Sequence, residues 1–153
     1  MGSDTPRRGP VPPVFFLLAI CAAIAAHRFL PVLQIIPRPW HYGGALLIVI
    51  GVAMAAISAG AFRRAGTPVV PFTQSTSLVT SGFYRYTRNP MYLGMVVALL
   101  GIDVMLGSLT PFLVTPVFAL IIHRRFILRE EAMLEGIFGD EYLAFKQRIP
   151  RWL

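Results

Sequence analysis

The sequence predicts an all-α, polytopic membrane protein: about four transmembrane helices and a cytoplasmic C-terminal helical extension, all within one domain spanning residues 1–153. Three observations predict it. Hydrophobic residues make up 56% of the chain and charged residues 14%, too little polar surface for a small soluble domain and too much apolar surface for a disordered one. Several apolar runs approach the ~20 residues that a helix needs to cross ~30 Å of hydrocarbon. The 14 Lys and Arg residues, which give a net charge of +7, lie between those runs instead of forming one basic face. Membrane topology therefore accounts for them, and no nucleic-acid partner is expected.

The first run, residues 14–26 (VFFLLAICAAIAA), follows Arg7, Arg8 and three prolines and precedes His27 and Arg28. Its basic flank and the small residues Ala23 and Ala25 also suit a signal peptide. The run extends to Leu33 as a tilted span over residues 14–33, and a retained span is expected because the rest of the chain is itself polytopic. Cys21, the single cysteine, is expected to be a small buried hydrophobe. The second run, residues 43–62, is free of charge and stops at Arg63 and Arg64. Its Gly51, Ala55 and Ala59 put small side chains on one face, which permits close helix packing in lipid.

The third span, residues 90–107, opens with Asn89 at the N-cap position and Pro90 at the first helical position. Only Gly107, Ser108 and Leu109 separate it from a fourth run, so the two form an antiparallel hairpin. The fourth span is expected over residues 110–130, with helix continuing to Ile137. That makes 28 residues, roughly 42 Å at ~1.5 Å each, so its last turns leave the membrane. Pro116 should kink it.

With four spans, one side carries Arg7, Arg8, Arg63, Arg64, Arg85, Arg88, Arg124, Arg125, Arg129, Lys146, Arg148 and Arg151, and the other only Arg28 and Arg38. The bias is expected to place both termini and the active site on the cytoplasmic face of a plasma (inner) membrane. Trp40 then suits the opposite interface. Asp103, near the far end of the third span, is expected to be hydrated or to cap the helix.

Two segments hold polar residues that are more than filler. Residues 66–94 are too polar to cross lipid, yet rich in aromatics, with turn signals at Ser81-Gly82 and Asn89-Pro90 and with Tyr84, Arg85, Tyr86, Arg88 and Tyr92 beside them. Five of the seven acids, Glu130, Glu131, Glu135, Asp140 and Glu141, follow the fourth span. Taken separately, these are an interfacial Tyr/Arg anchor and the solvated face of a helix. The hairpin brings both to one membrane interface, where aromatics and turns face a carboxylate pair across a crevice. Neither His nor Cys occurs at metal-ligand spacing, so no metal is expected.

At these residues the chain resembles the integral-membrane methyltransferases of the isoprenylcysteine carboxyl methyltransferase and phospholipid methyltransferase superfamily. LVTSGFYRYTRNPMYLG (residues 78–94) is similar to the family's Leu-Val-Thr-x-Gly-x-Tyr followed by Arg-His-Pro-x-Tyr-x-Gly. EEAMLEGIFGDEYLAFKQRIPRWL (residues 130–153) is similar to its Glu-Glu-x-x-Leu, Phe-Gly-x-Glu-Tyr and closing Arg-x-Pro. The resemblance covers residues 71–153 and implies an S-adenosylmethionine pocket without a Rossmann sheet, built from segments 71–94 and 124–153. Carried over, Leu78, Val79, Tyr84, Asn89, Pro90, Met91, Tyr92, Glu130 and Glu131 bind the cofactor. Arg88 and Arg125 are expected to serve catalysis, and Arg85, Arg88 or Arg125 to hold an acidic head group of the acceptor. Asn89 stands where many relatives have His. Phe126 stands where the isoprenylcysteine enzymes resemble one another in an Arg, with Arg125 beside it.

The resemblance implies methyl transfer to a lipophilic or membrane-associated acceptor, either isoprenylcysteine-carboxylate-like or phospholipid-amine-like. Two other readings remain open on the residues: a non-catalytic membrane subunit that binds a partner through the loop and C-terminal helix, and an NADPH-dependent membrane reductase of related architecture.

Overall fold

The computed structural model describes residues 11–66 and 77–153. Its helices are α1 (Pro12–Phe29), α2 (Gly43–Arg64), α3 (Pro90–Leu106), α4 (Val114–Ile122), α5 (Leu128–Phe138) and α6 (Asp140–Arg148). Among the described residues no strand forms, only one isolated bridge between Gln34 and Ser108. The helical run Thr110–Phe138, α1, and α2 with its preceding turn are each long and apolar enough to span a membrane, and α3 is a shorter apolar helix. At 17 residues α3 sits at the short end of the spanning range.

The third expected span keeps its bounds to within one residue, for local reasons. Pro90 opens α3, where a missing N–H costs nothing, and Gly107 closes it at φ 76°, a left-handed turn that L side chains rarely adopt. The first span is shorter than expected. It stops at Phe29 because the next residues leave the helix to pair with the α3–α4 connection, where Leu109 N–H donates to Leu33 O (2.8 Å) and Ile35 N–H to Gly107 O (2.8 Å). Cys21 is exposed on α1, not buried as expected.

The fourth span also departs from expectation. Pro116 falls in the first turn of α4, where its absent donor disrupts little. The irregularities flank it: a 3-10 turn at Thr110–Leu113 precedes α4, and a π-helical turn at His123–Ile127 joins it to α5. The π turn shifts the helical register ahead of Glu130.

The helix α3 is the hub, packing against α1, α2 and α4. Its contact with α2 is backbone to backbone. A Cβ at Gly51 would press on Gly94 O and lie 2.5 Å from Ala98 N, and one at Gly101 would lie 2.6 Å from Gly44 O. Of the expected small-residue face, Gly51 and Ala55 meet α3. The buried positions of α2 are Gly44, Gly51 and Ser58, a seven-residue spacing answered on α3 by Gly94 and Gly101. The other faces of α1 and α2 expose Leu17, Leu18, Leu46 and Val49, as lipid-facing surfaces do. The main core, around Leu99, Phe118, Ile122 and Ile127, lies between α1, α3 and α4.

Asp103 is wholly buried and caps nothing with its side chain. Its Oδ2 accepts a 2.6 Å hydrogen bond from Thr115 of α4 and its Oδ1 is buried without a partner, so the acid lies inside the hairpin and not, as expected, in water. Thr115→Val is expected to destabilise the folded protein by about 2 kcal/mol, because the carboxyl stays buried without its donor. Thermal unfolding in detergent reads that loss.

Candidate active site

One end of the bundle collects the Arg64 end of α2, the Pro90 end of α3, α5, α6 and the C-terminal strap. The turn Gly82–Arg85 begins with Gly82 at φ 63°, the turn that Ser81-Gly82 signals in the sequence. It turns Tyr84 inward, edge to face against Phe62 of α2 at 5.4 Å. Tyr84 joins Val79, Tyr142 and Phe145 in a second buried cluster, with Leu78 packed against it. Burial first, and then the Glu130 carboxylate, push the Tyr84 hydroxyl up from its ordinary range, so it stays a neutral donor.

Tyr92, in the first turn of α3, is buried and donates its hydroxyl to Glu130 Oε1 at 3.0 Å. Glu130 is half-buried, and among the described residues no cation lies within ion-pair distance of it. Its neighbour is committed elsewhere, because successive helical residues point about 100° apart. Glu131 takes Arg88 Nη1 at 3.0 Å and a two-pronged Arg151 at 2.8 and 2.7 Å.

That carboxylate centres a clamp on the strand-like C-terminal strap. Arg88 N–H donates to Pro150 O (3.0 Å), while Thr87 Oγ1 (3.1 Å) and Asn89 Nδ2 (3.0 Å) both donate to Arg151 O. Trp152 completes the strap by packing on the main core. The hydrogen bond to Glu131 holds Arg151 further into its charged form. Glu131→Gln is expected to cost about 3 kcal/mol of stability, since the Arg88–Glu131 pair is 8% and 7% exposed and the change strands a buried cation. Glu135→Gln, which breaks an ion pair with Lys146 that is 43% and 36% exposed, should cost under about 1 kcal/mol. Paired melting curves check the contrast.

The expected site residues thus separate into groups. Tyr84, Tyr92 and Glu130 come together, with Leu78 and Val79 behind Tyr84. Pro90 is buried as the first residue of α3 and Met91 is half-buried beside it. Arg88, Asn89 and Glu131 meet in the clamp. Arg125 is exposed and lies over the Phe15 ring of α1 at 5.8 Å, while Phe126 turns into the core. Residues 71–76 of the first expected segment, and Arg7 and Arg8, lie outside the described residues. The sequence assigns no site role to Thr87, Phe62 or Arg151; the closing Arg-x-Pro resemblance points at the strap without its partners.

A family model of phospholipid methyltransferases matches residues 39–141, a stretch that contains α2, the Gly82 turn, the α3–α4 hairpin and α5. The chain belongs to the phospholipid methyltransferase family. It is 38% identical over 76 residues to a protein-S-isoprenylcysteine O-methyltransferase of Schizosaccharomyces pombe, covering 48% of this chain and 31% of that one. A protein of the same name from Rattus norvegicus is 35% identical over 118 residues, 72% of this chain and 39% of its own. Protein-S-isoprenylcysteine O-methyltransferase B of Arabidopsis thaliana is 30% identical over 144 residues, 88% of this chain and 68% of its own. The chain thus spans about a third of the yeast and rat relatives it matches. Among the described residues, Glu130 thus has a tyrosine partner and no cation, and an acid set beside two aromatic rings can attract a positively charged group.

Proposed function

We propose that the protein transfers a methyl group from S-adenosylmethionine to a lipophilic, membrane-associated acceptor, isoprenylcysteine-carboxylate-like or phospholipid-amine-like. The observation that carries this reading is Glu130: a half-buried carboxylate held by Tyr92 and, among the described residues, with no cation within ion-pair distance. Held by Glu130 between Tyr84 and Tyr92, the donor would supply an electrophilic methyl carbon to the acceptor's nucleophile, its sulfur keeping the electron pair of the carbon–sulfur bond.

The chain's own residues bind and orient. Glu130 holds the donor's positive charge, and Tyr84 and Tyr92 wall it and keep water from that charge. Leu78 and Val79 line the pocket with Tyr84, and Pro90 and Met91 fix the edge of α3 along it. Arg88, Asn89 and Glu131 act on the pocket through the clamp, which fixes the turn that places Tyr92. Arg125, exposed beyond the π turn, is available to an acidic head group. The charge bias of twelve basic residues against two supports a cytoplasmic site, both termini on the same side, in a plasma (inner) membrane.

The test incubates the detergent-purified protein with methyl-labelled donor and, in parallel, a farnesylcysteine carboxylate and phosphatidylethanolamine. Label in either lipid product, absent without protein, supports the reading and names the acceptor class. Labelling of neither, by protein that binds the donor, removes both acceptors from it.

A further inference from the structure

At the end of the bundle opposite Glu130, the structure contains a cavity of about 330 Å³ lined by His27, Gln34, Arg38 and His41, with Met105 and Leu106 at the close of α3. That size is in the range of small-ligand sites. Its polar lining combines the Arg38 cation, two imidazoles and the Gln34 amide, whose Nε2 donates to Ile36 O at 3.3 Å. Ser108, fully buried, pairs with His27 Nδ1 at 2.8 Å, which leaves Nε2 as the ring nitrogen that Ser108 does not engage. His41 Nδ1 is buried without a hydrogen-bond partner. Arg38 is one of only two Arg residues that the four-span topology puts on this side, and it lines the cavity.

Among the described residues, no acidic side chain lines the cavity. Residues 27–43 and 104–113 contain neither Asp nor Glu, and Asp103 is sealed inside the hairpin against Thr115. Two carbonyl-rich helix ends come near, but the carbonyl that closes α3, at Gly107, already accepts from Ile35 and Ile36. Depth is set by Trp40 and Tyr42, exposed on the turn that carries His41. Such aromatics sit at head-group level, so the cavity opens where lipid phosphates lie.

We propose that this cavity binds a phosphate-bearing anion, in the membrane the head group of an anionic phospholipid, through Arg38, His41 and His27. It is independent of methyl transfer and is tested without it. Native mass spectrometry of the detergent-purified protein would titrate phosphatidylglycerol, phosphatidylcholine and inorganic phosphate. Phosphatidylglycerol should be retained over phosphatidylcholine, whose choline cancels the charge. Arg38→Gln should weaken that retention about 10-fold, His41→Gln should weaken it too, and Arg28→Gln, on the same side but outside the cavity, should not. Phosphate binding with the same dependence on Arg38, and no lipid preference, would support the anion site and assign it a soluble ligand. Equal retention of both lipids with no phosphate binding overturns the proposal, as does a loss in Arg28→Gln equal to that in Arg38→Gln. The Arg38 and His41 variants are read separately, so misfolding of one leaves the other to decide.

Discussion

Glu130→Gln is expected to weaken S-adenosylmethionine binding about 100-fold while leaving the fold intact. The carboxylate is asked to hold a cation at a half-buried position with Tyr92 as its hydrogen-bond partner, and a charge-assisted contact of that kind contributes about 2 to 3 kcal/mol. The amide keeps the shape, and its oxygen still accepts from Tyr92, so the melting temperature should barely move. The adjacent Glu131→Gln should do the reverse, lowering stability through the Arg88 and Arg151 clamp. Calorimetry and thermal unfolding on the two variants separate the roles. An affinity unchanged in Glu130→Gln removes that carboxylate from the site.

The second large effect is on the fold. Gly51→Ala is expected to cost about 3 kcal/mol or more, and Gly60→Ala, nine residues along the same helix, to be neutral or stabilising by up to about 1 kcal/mol. A methyl at Gly51 meets the Gly94 carbonyl and the Ala98 backbone, whereas at Gly60 it meets nothing within 4 Å. The atoms in the way are main chain, so no side chain can yield and α2 and α3 must part. Because Phe62 of α2 braces Tyr84, that parting also loosens the site. The folded fraction after detergent purification, and its melting curve, measure the difference.

What was legible in the sequence was local. Gly43 and the Arg63-Arg64 pair bound α2, Pro90 and Gly107 bound α3, and Ser81-Gly82 turns the chain because each signal acts on its own backbone. Pairing between distant segments was not legible. Nothing near Leu33 announces that Leu109 and Gly107 will draw it out of the first helix, and nothing near Asp103 announces Thr115. The different fates of Glu130 and Glu131 were also hidden. Both read as one carboxylate pair, and only the strap that returns Arg151 to the Arg88 turn separates them. The π turn adds a second obstacle, since counting 3.6 residues per turn from α4 through His123–Ile127 assigns Arg125 and Glu130 to the wrong faces. The seven-residue spacing of Gly44, Gly51 and Ser58, answered by Gly94 and Gly101, was present in the sequence and marks the α2–α3 contact better than the four-residue spacing.

The central claim is that the crevice at Tyr84, Tyr92 and Glu130 binds a sulfonium methyl donor. Calorimetric titration of the detergent-purified protein with S-adenosylmethionine, with its demethylated product and with NADPH tests this most directly. Saturable binding of the first two, and none of NADPH, is the predicted result. Binding of NADPH alone, or no binding of S-adenosylmethionine by a folded sample, would contradict it.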